Sequence, residues 1–320
     1  MDTPPVHLAA PRAASSVGSA LVVTVALFLA SVAAYVPLLH VQNALFLNGL
    51  PPADGSFPRG DVDVKAAAAE MTMYWPLAAV VVVAYLAILL VVRTSPSPLP
   101  GRVAMAAGAL GQLLMLPVKP GLSMDLYSYV AHGFFASTSS MSPYTTSTSA
   151  VFQTPFGSQL LYAGWLPVHP QTPYGPLWTD VEAAAFSASG GTVQPAADLL
   201  KLVVVLASIG TGILSHLIAE RVRPGTGPLA GAAWLTSPVA VVEFAGDGHN
   251  DALAILFVAL AIWAALRGWA LLAVPALALG VLVKYTPAAF ALALVVMVVR
   301  NASSRRRAAL GLAGGVVVGT

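Results

Sequence analysis

The 320-residue sequence contains no cysteine, which excludes disulfides, thiolate metal sites and cysteine nucleophiles. Charge is scarce: Asp, Glu, Lys and Arg make up 9% of the chain, against about 25% in soluble domains. No P-loop, dinucleotide-binding glycine signature or long basic patch occurs, so nucleotide-driven work and nucleic-acid partners are not expected. Internal repeats are missing too. What fills the chain is apolar, 58% of it, and a water-soluble core cannot absorb that share. The 25 prolines and 27 glycines are scattered, as suits broken or tightly packed membrane helices. The composition specifies an integral membrane protein.

A membrane-crossing helix needs about 20 apolar residues. Runs of this kind cover Leu21–Leu39, Met71–Val92, Val103–Val118, Leu199–Ala219, Pro228–Val242 and Asp251–Leu266. The first reads as an anchor rather than a cleaved signal, because it is long and its head is weakly basic. Trp269–Val299 is too long for one span and predicts two short helices turning at Lys284-Tyr285-Thr286-Pro287. A last run from Ala308 stops at Thr320 without an exit signal. The expected fold class is an all-α polytopic bundle of about eight to nine transmembrane helices in a single membrane domain, residues 1–320.

Placing the N-terminus in the cytoplasm puts Arg12, Arg93, Arg102, Arg221, Arg223, Arg267, Arg300 and Arg305 to Arg307 on one side, with only Asp2 and Glu220 as acids. The other eleven acids and five basic residues fall on the opposite side, a strong positive-inside pattern. Two outer loops follow. His40 to Glu70 is acidic and Pro-rich; Lys119 to Asp198 is long enough to form a subdomain. Tyr127, Tyr129, Tyr144, Tyr162, Trp165, Tyr174 and Trp178 argue that the second is packed, since disordered segments are poor in aromatics.

Ionisable groups at membrane boundaries are costly and are candidates for function. Three clusters map to the outer side. Lys119 and Asp125 flank the start of a stretch continuing through Tyr127, Tyr129 and His132; its plainer reading is an N-cap followed by an interfacial aromatic belt. Gly246-Asp247-Gly248-His249-Asn250-Asp251, with Glu243 just before it, carries more polar chemistry than a turn needs. Its plainer reading is a glycine turn with Asp251 capping the next helix. Asp-x-His-x-Asp alone fixes neither a metal nor its geometry, and no metal is expected. Lys284 either snorkels to the interface or points inward as a phosphate partner. A fourth feature, Tyr174-Gly-Pro-Leu-Trp178, offers either a sugar-stacking wall or a docked loop helix, and His169 reads as a loop residue.

Asp125-Leu-Tyr-Ser-Tyr with Gly133 and Pro143-Tyr144, then Tyr174-Gly-Pro-Leu-Trp178, Gly248-His-Asn-Asp-Ala252 and Val283-Lys-Tyr-Thr-Pro287 occur in this order. Together they resemble the GT-C fold, polyprenyl-phosphomannose-dependent mannosyltransferases of actinobacteria, in particular the α-(1→6)-mannopyranosyltransferases that extend the lipomannan backbone. The resemblance spans about residues 119–290. It implies a multi-span plasma-membrane enzyme with an extracytoplasmic site, a polyprenyl-phosphate-mannose donor and a mannan or lipoglycan acceptor. It also implies that Asp125 stands at the position of the catalytic carboxylate. Relatives are longer, so the chain is expected to be C-terminally incomplete.

A sugar on polyprenyl phosphate already has a good leaving group, so the reaction needs a base and phosphate stabilisation rather than a strong acid. Asp125 is the expected base, with Lys284, His249 and Lys119 holding phosphate. Asp247, Asn250, Asp251, Tyr127, Tyr129, Tyr174 and Trp178 are the expected sugar or acceptor contacts. No cofactor is expected beyond the lipid-linked donor, and inversion gives an α-mannoside. The alternatives are a GT-C transferase for another polyprenyl-phospho-sugar, such as arabinofuranose, and a lipid-sugar transporter or flippase. The last predicts paired polar groups at mid-membrane and inverted repeats, whereas the runs here are nearly clean.

Overall fold

The computed structural model describes residues 17–30, 33–34, 64–120, 123–138, 141–163 and 171–301. Arg12, most of the first outer loop, Trp165, His169, Arg305 to Arg307, the final run from Ala308 and the Tyr162 side chain lie outside the described residues.

Among the described residues every regular element is helical. The order is α1 (Val17–Ala30), α2 (Val64–Thr94), α3 (Leu99–Leu114), α4 (Asp125–Thr138), α5 (Pro155–Tyr162), α6 (Pro176–Ala188), α7 (Val193–Val222) and α8 (Gly227–Leu235). A π-helical segment (Ala240–Gly246) follows, then α9 (Asp251–Leu266), α10 (Ala270–Val283), a 3₁₀ turn (Thr286–Phe290) and α11 (Ala291–Asn301).

Among the described residues two helices are long and apolar enough to cross a membrane, within Tyr74–Thr94 and Val193–Val222. The pair α8 and the π-helical segment adds a third as a span bent by 55°. The break falls at Pro238, whose missing N–H and ring oppose a continuous helix, so the run Pro228–Val242 is not one straight rod. Helices α1, α9, α10 and the Thr286–Asn301 stretch are apolar but shorter. Prolines also move the third run: α3 starts after Pro98 and ends before Pro117, four residues earlier at each end than the run Val103–Val118. The outward faces of the long helices carry exposed Val83, Leu86 and Leu90 on α2 and Leu206 and Ile213 on α7. An apolar surface of this extent suits contact with lipid.

The largest helix contacts join α9 to α10, α4 to α6, and α7 to α8 and α9. The main core gathers Tyr127, Tyr129, Phe135, Phe156, Trp178, Phe186 and Leu200 from α4 to α7. Backbones approach very closely here. A Cβ on Gly133 would lie 2.4 Å from the Glu182 carbonyl oxygen, so only glycine lets α4 meet α6 at this distance. From Lys119 to Asp198 the described chain is thus helical and packed, and α7 already begins at Val193, inside the loop region expected to end at Asp198.

Candidate active site

Asp125 opens α4. Its N–H donates to Ser123 Oγ at 3.1 Å, and its carboxylate sits in the first turn, where the helix dipole favours negative charge. Tyr129 and His132 follow at one and two turns along the same face.

The second cluster is shaped by the π-helical segment. The Asp247 N–H reaches back five residues to the Val242 carbonyl at 2.9 Å, a widened turn of the kind often found at functional sites. Gly248 then takes φ +79°, and Leu126 packs against it with its methyl 3.0 Å from where a Cβ would be. That left-handed, side-chain-free position swings His249 toward α4. Its Nδ1 lies 3.6 Å from Asp125 Oδ2 and its Nε2 3.6 Å from Glu243 Oε2. The imidazole therefore stands between two carboxylates.

The third cluster closes the ring. The Gly175 N–H donates to the Val283 carbonyl at 3.0 Å, stitching the entry of α6 to the exit of α10. Tyr174 consequently lies beside Lys284, whose Nζ is 5.7 Å from the ring centroid, while the Tyr174 hydroxyl donates to Asp125 Oδ2 at 3.2 Å. Burial, and then the charge of Asp125, push the Tyr174 hydroxyl far up, so it remains a donor at any working pH. Lys284 holds Asp251 with both oxygens at 2.8 and 2.9 Å, and both side chains are about one-third exposed. Asp251 is thus engaged by a lysine, and no side-chain cap bond holds the start of α9.

Asp125, His249, Asp251, Tyr174 and Lys284 form one connected group. Tyr127, Tyr129 and Trp178 are fully buried and pack as core, Tyr129 edge-on to both Tyr174 and Trp178 at 5.2 and 5.1 Å. Burial pushes the Tyr127 hydroxyl up to about 12 and Tyr129 well above its ordinary value. The sugar-stacking wall expected at Trp178 is therefore not on a surface; its ring supports the site from behind. Asp247 and Asn250 are also wholly buried, and both amide atoms of Asn250 are without a hydrogen-bond partner. A buried amide is costly to leave without a hydrogen-bond partner. Lys119 is exposed, six residues before Asp125 in the chain.

Three features escaped the sequence reading. His132 and Glu182 meet at 3.4 Å between α4 and α6, both completely buried; only the two-turn spacing from Asp125 to His132 hinted at it. Glu243 was noticed but not placed at the site. Lys201 breaks the apolar run of α7: it is 1% exposed and donates to the Val118 carbonyl, within electrostatic reach of Asp247. For a metal, Glu243, Asp247 and His249 offer ligand atoms within 4.8 Å of one another, a set of oxygen and nitrogen donors suited to a divalent cation.

No curated protein and no solved structure matches the chain. A family model does, over residues 16–301, and it is described as the alpha-(1→6)-mannopyranosyltransferase N-terminal domain. That stretch holds the whole of the connected group and nearly the whole chain, so this is a glycosyltransferase belonging to the α-(1→6)-mannopyranosyltransferase family.

Proposed function

We propose that the protein transfers mannose from polyprenyl-phosphate-mannose to a mannan or lipoglycan acceptor, forming an α-1,6 linkage with inversion, at the outer face of the plasma membrane. The chain then crosses the bilayer about eight to nine times; the four shorter apolar helices and α3, added to the two long helices and the bent pair, bring the described count to eight. One observation carries the reading: Asp125, His249 and Lys284, distant in sequence, are tied into one group through Tyr174 and Asp251.

The acceptor hydroxyl oxygen attacks the anomeric carbon, its proton passes to the Asp125 carboxylate, and the bond from that carbon to the phosphate oxygen breaks. Polyprenyl phosphate leaves with the bonding pair. Tyr174 donates to Asp125 Oδ2 and fixes the carboxylate against which the acceptor hydroxyl must approach. Lys284 and His249 supply the cationic and hydrogen-bonding groups that the departing phosphate needs, with the exposed Lys119 assisting. The His249–Asp125 contact at 3.6 Å is longer than a hydrogen bond and tightens when substrate closes the site. The unsatisfied Asn250 amide and the edge of Asp251 receive sugar hydroxyls, while Asp247 orients the His249 turn. Tyr129 acts on the sugar only through Tyr174, and Trp178 through Tyr129, while Tyr127 supports α4 from the core. The step needs no metal.

Asp125→Asn keeps the shape and removes the base. Transfer of labelled mannose from the polyprenyl donor to a mannoside acceptor, measured in EDTA, is expected to fall by about 10²–10⁴-fold with membrane insertion and Tm unchanged. Turnover like that of the wild type would remove Asp125 as base. EDTA sensitivity in the wild type, reversed by a divalent cation, would turn Glu243, Asp247 and His249 into ligands.

A further inference from the structure

At the opposite end of α3 and α7 lies a second cavity, of about 850 Å³, that the transfer reaction does not use. Its walls are the exit of α2, the entry of α3, the last turns of α7 and the entry of α8, and they carry Arg93, Arg102, Arg223 and His216. Helix geometry sets the separation from the active site. Lys201, which touches Val118 near the active site, and His216 are fifteen residues apart on one helix, so about 22 Å along its axis.

A belt of arginines is ordinary at the cytoplasmic edge of a membrane protein. Three observations go beyond a belt. First, none of the three guanidinium groups makes a hydrogen bond or ion pair with the described residues. The one acid on the wall, Glu220, commits its two oxygens to the Gly225 and Gly227 N–H groups at 2.9 and 3.0 Å and reaches Arg102 and His216 only through their charge, without an ion pair. Second, Arg93 and Arg223 sit at helix C-termini, where cations are favoured, but Arg102 lies in the first turn of α3, where the dipole opposes it. An anion between them removes that penalty. Third, the lining is prepared for phosphate oxygens. Ser95 and Ser97 accept backbone N–H bonds at 3.3 and 3.2 Å, which leaves their hydroxyl protons to donate.

The wall is also fixed in place. A Cβ on Gly101 would lie 2.6 Å from Pro228 Cβ, and one on Gly227 would lie 2.8 Å from both Glu220 Oε2 and His216 Nδ1. The first contact locks α3 to α8 beside Arg102, and the second locks α8 to α7.

We propose that this cavity is a binding site for a phosphate-bearing anion, supplied by an anionic phospholipid headgroup or by free phosphate. Arginine suits it because its planar fork pairs with two phosphate oxygens at once. The site is independent of the transfer reaction and is read by binding alone.

The purified protein in a zwitterionic detergent is titrated with short-chain phosphatidylglycerol, short-chain phosphatidylcholine and inorganic phosphate, by calorimetry and native mass spectrometry. Saturable binding of phosphatidylglycerol, at least about tenfold tighter than phosphatidylcholine, assigns a lipid headgroup; saturable binding of inorganic phosphate alone assigns free phosphate. Either way, Arg102→Gln and Arg223→Gln each weaken binding by about tenfold, and Arg102→Lys retains part of it. Arg267→Gln, which removes an arginine lying over the Trp263 ring outside this cavity, leaves binding unchanged. No saturable binding of either anion, or equal loss with Arg267→Gln, overturns the proposal.

Discussion

The two ends of the helix bundle treat charge in opposite ways. At one end acids and bases are engaged with one another: Asp125 with Tyr174 and His249, His249 with Glu243, Asp251 with Lys284. At the other, three arginines line a cavity without a partner among the described residues. Under the proposed reaction the first end has its charges already oriented when a substrate arrives, as electrostatic preorganisation requires. The second sets three arginines against one carboxylate, Glu220, which two backbone N–H groups already engage. Preorganisation is bought by rigid joints, and breaking one should cost the first end far more than the second.

The largest effect is expected from Gly175→Ala. Its Cβ would lie 2.1 Å from the Leu282 carbonyl oxygen, at the joint that sets Tyr174 beside Lys284. The backbones must separate, and misplacement near 1 Å costs roughly 10²-fold in rate. Transfer should fall by about that factor, with Tm falling as well. The matched change at the arginine end is Gly225→Ala. There φ is +88° with nothing within 4 Å of the new Cβ, so only backbone strain of about 1 kcal/mol is added. Activity should be unaffected. Equal effects would mean that the two ends are not differently preorganised.

A smaller effect separates ligand binding from structure at Lys284. Its pair with Asp251 is about one-third exposed, so it contributes at most about 1 kcal/mol to stability. Lys284→Ala should therefore hardly move Tm, yet weaken donor binding by about tenfold or more. Adding Asp251→Asn should restore the small stability loss and leave donor binding impaired. Unchanged donor affinity would make the lysine a partner of Asp251 only.

The same contrast explains what could be seen in advance. Asp125 at a helix start, the glycine-flanked His249 and the turn at Lys284 are local features, each announced by its neighbours in sequence, and the helices begin and turn there. Proline placed the breaks, and where a run was read without weighing Pro98, Pro117 or Pro238, its bounds were off. Lys201 and the His132–Glu182 pair were not legible, because a buried polar group is recognisable only once the opposing helix is in place. The rings of Tyr127, Tyr129 and Trp178 illustrate the same limit: aromatic residues in a polar loop read as a binding surface, and packing of α4 on α6 turned them inward.

The His132–Glu182 pair offers the subtlest test, since it lies beside the paired end but is cut off from water. Burial pushes the Glu182 carboxyl well above the ordinary carboxylate range. The folded protein therefore holds a proton that the unfolded chain releases near pH 4.3. Stability from that proton is full below about pH 4.3 and is lost as pH rises toward the raised folded value. Glu182→Gln has no proton to lose. Its unfolding free energy should lie within about 1 kcal/mol of the wild type near pH 5, and its Tm should exceed that of the wild type increasingly toward pH 8. The neighbours that bear on the outcome are Trp178, whose indole N–H partly offsets the upward shift, His132 on α4, 3.4 Å away, and Tyr174, whose ring centroid lies 6.4 Å from that of His132. Were His132 protonated and paired with an ionised Glu182, the glutamine would instead leave a buried charge unmatched and destabilise the protein by several kcal/mol at neutral pH. The sign of the difference at pH 7 to 8 thus decides whether charge pairing extends from the site into the core of α4 and α6 or stops at Asp125.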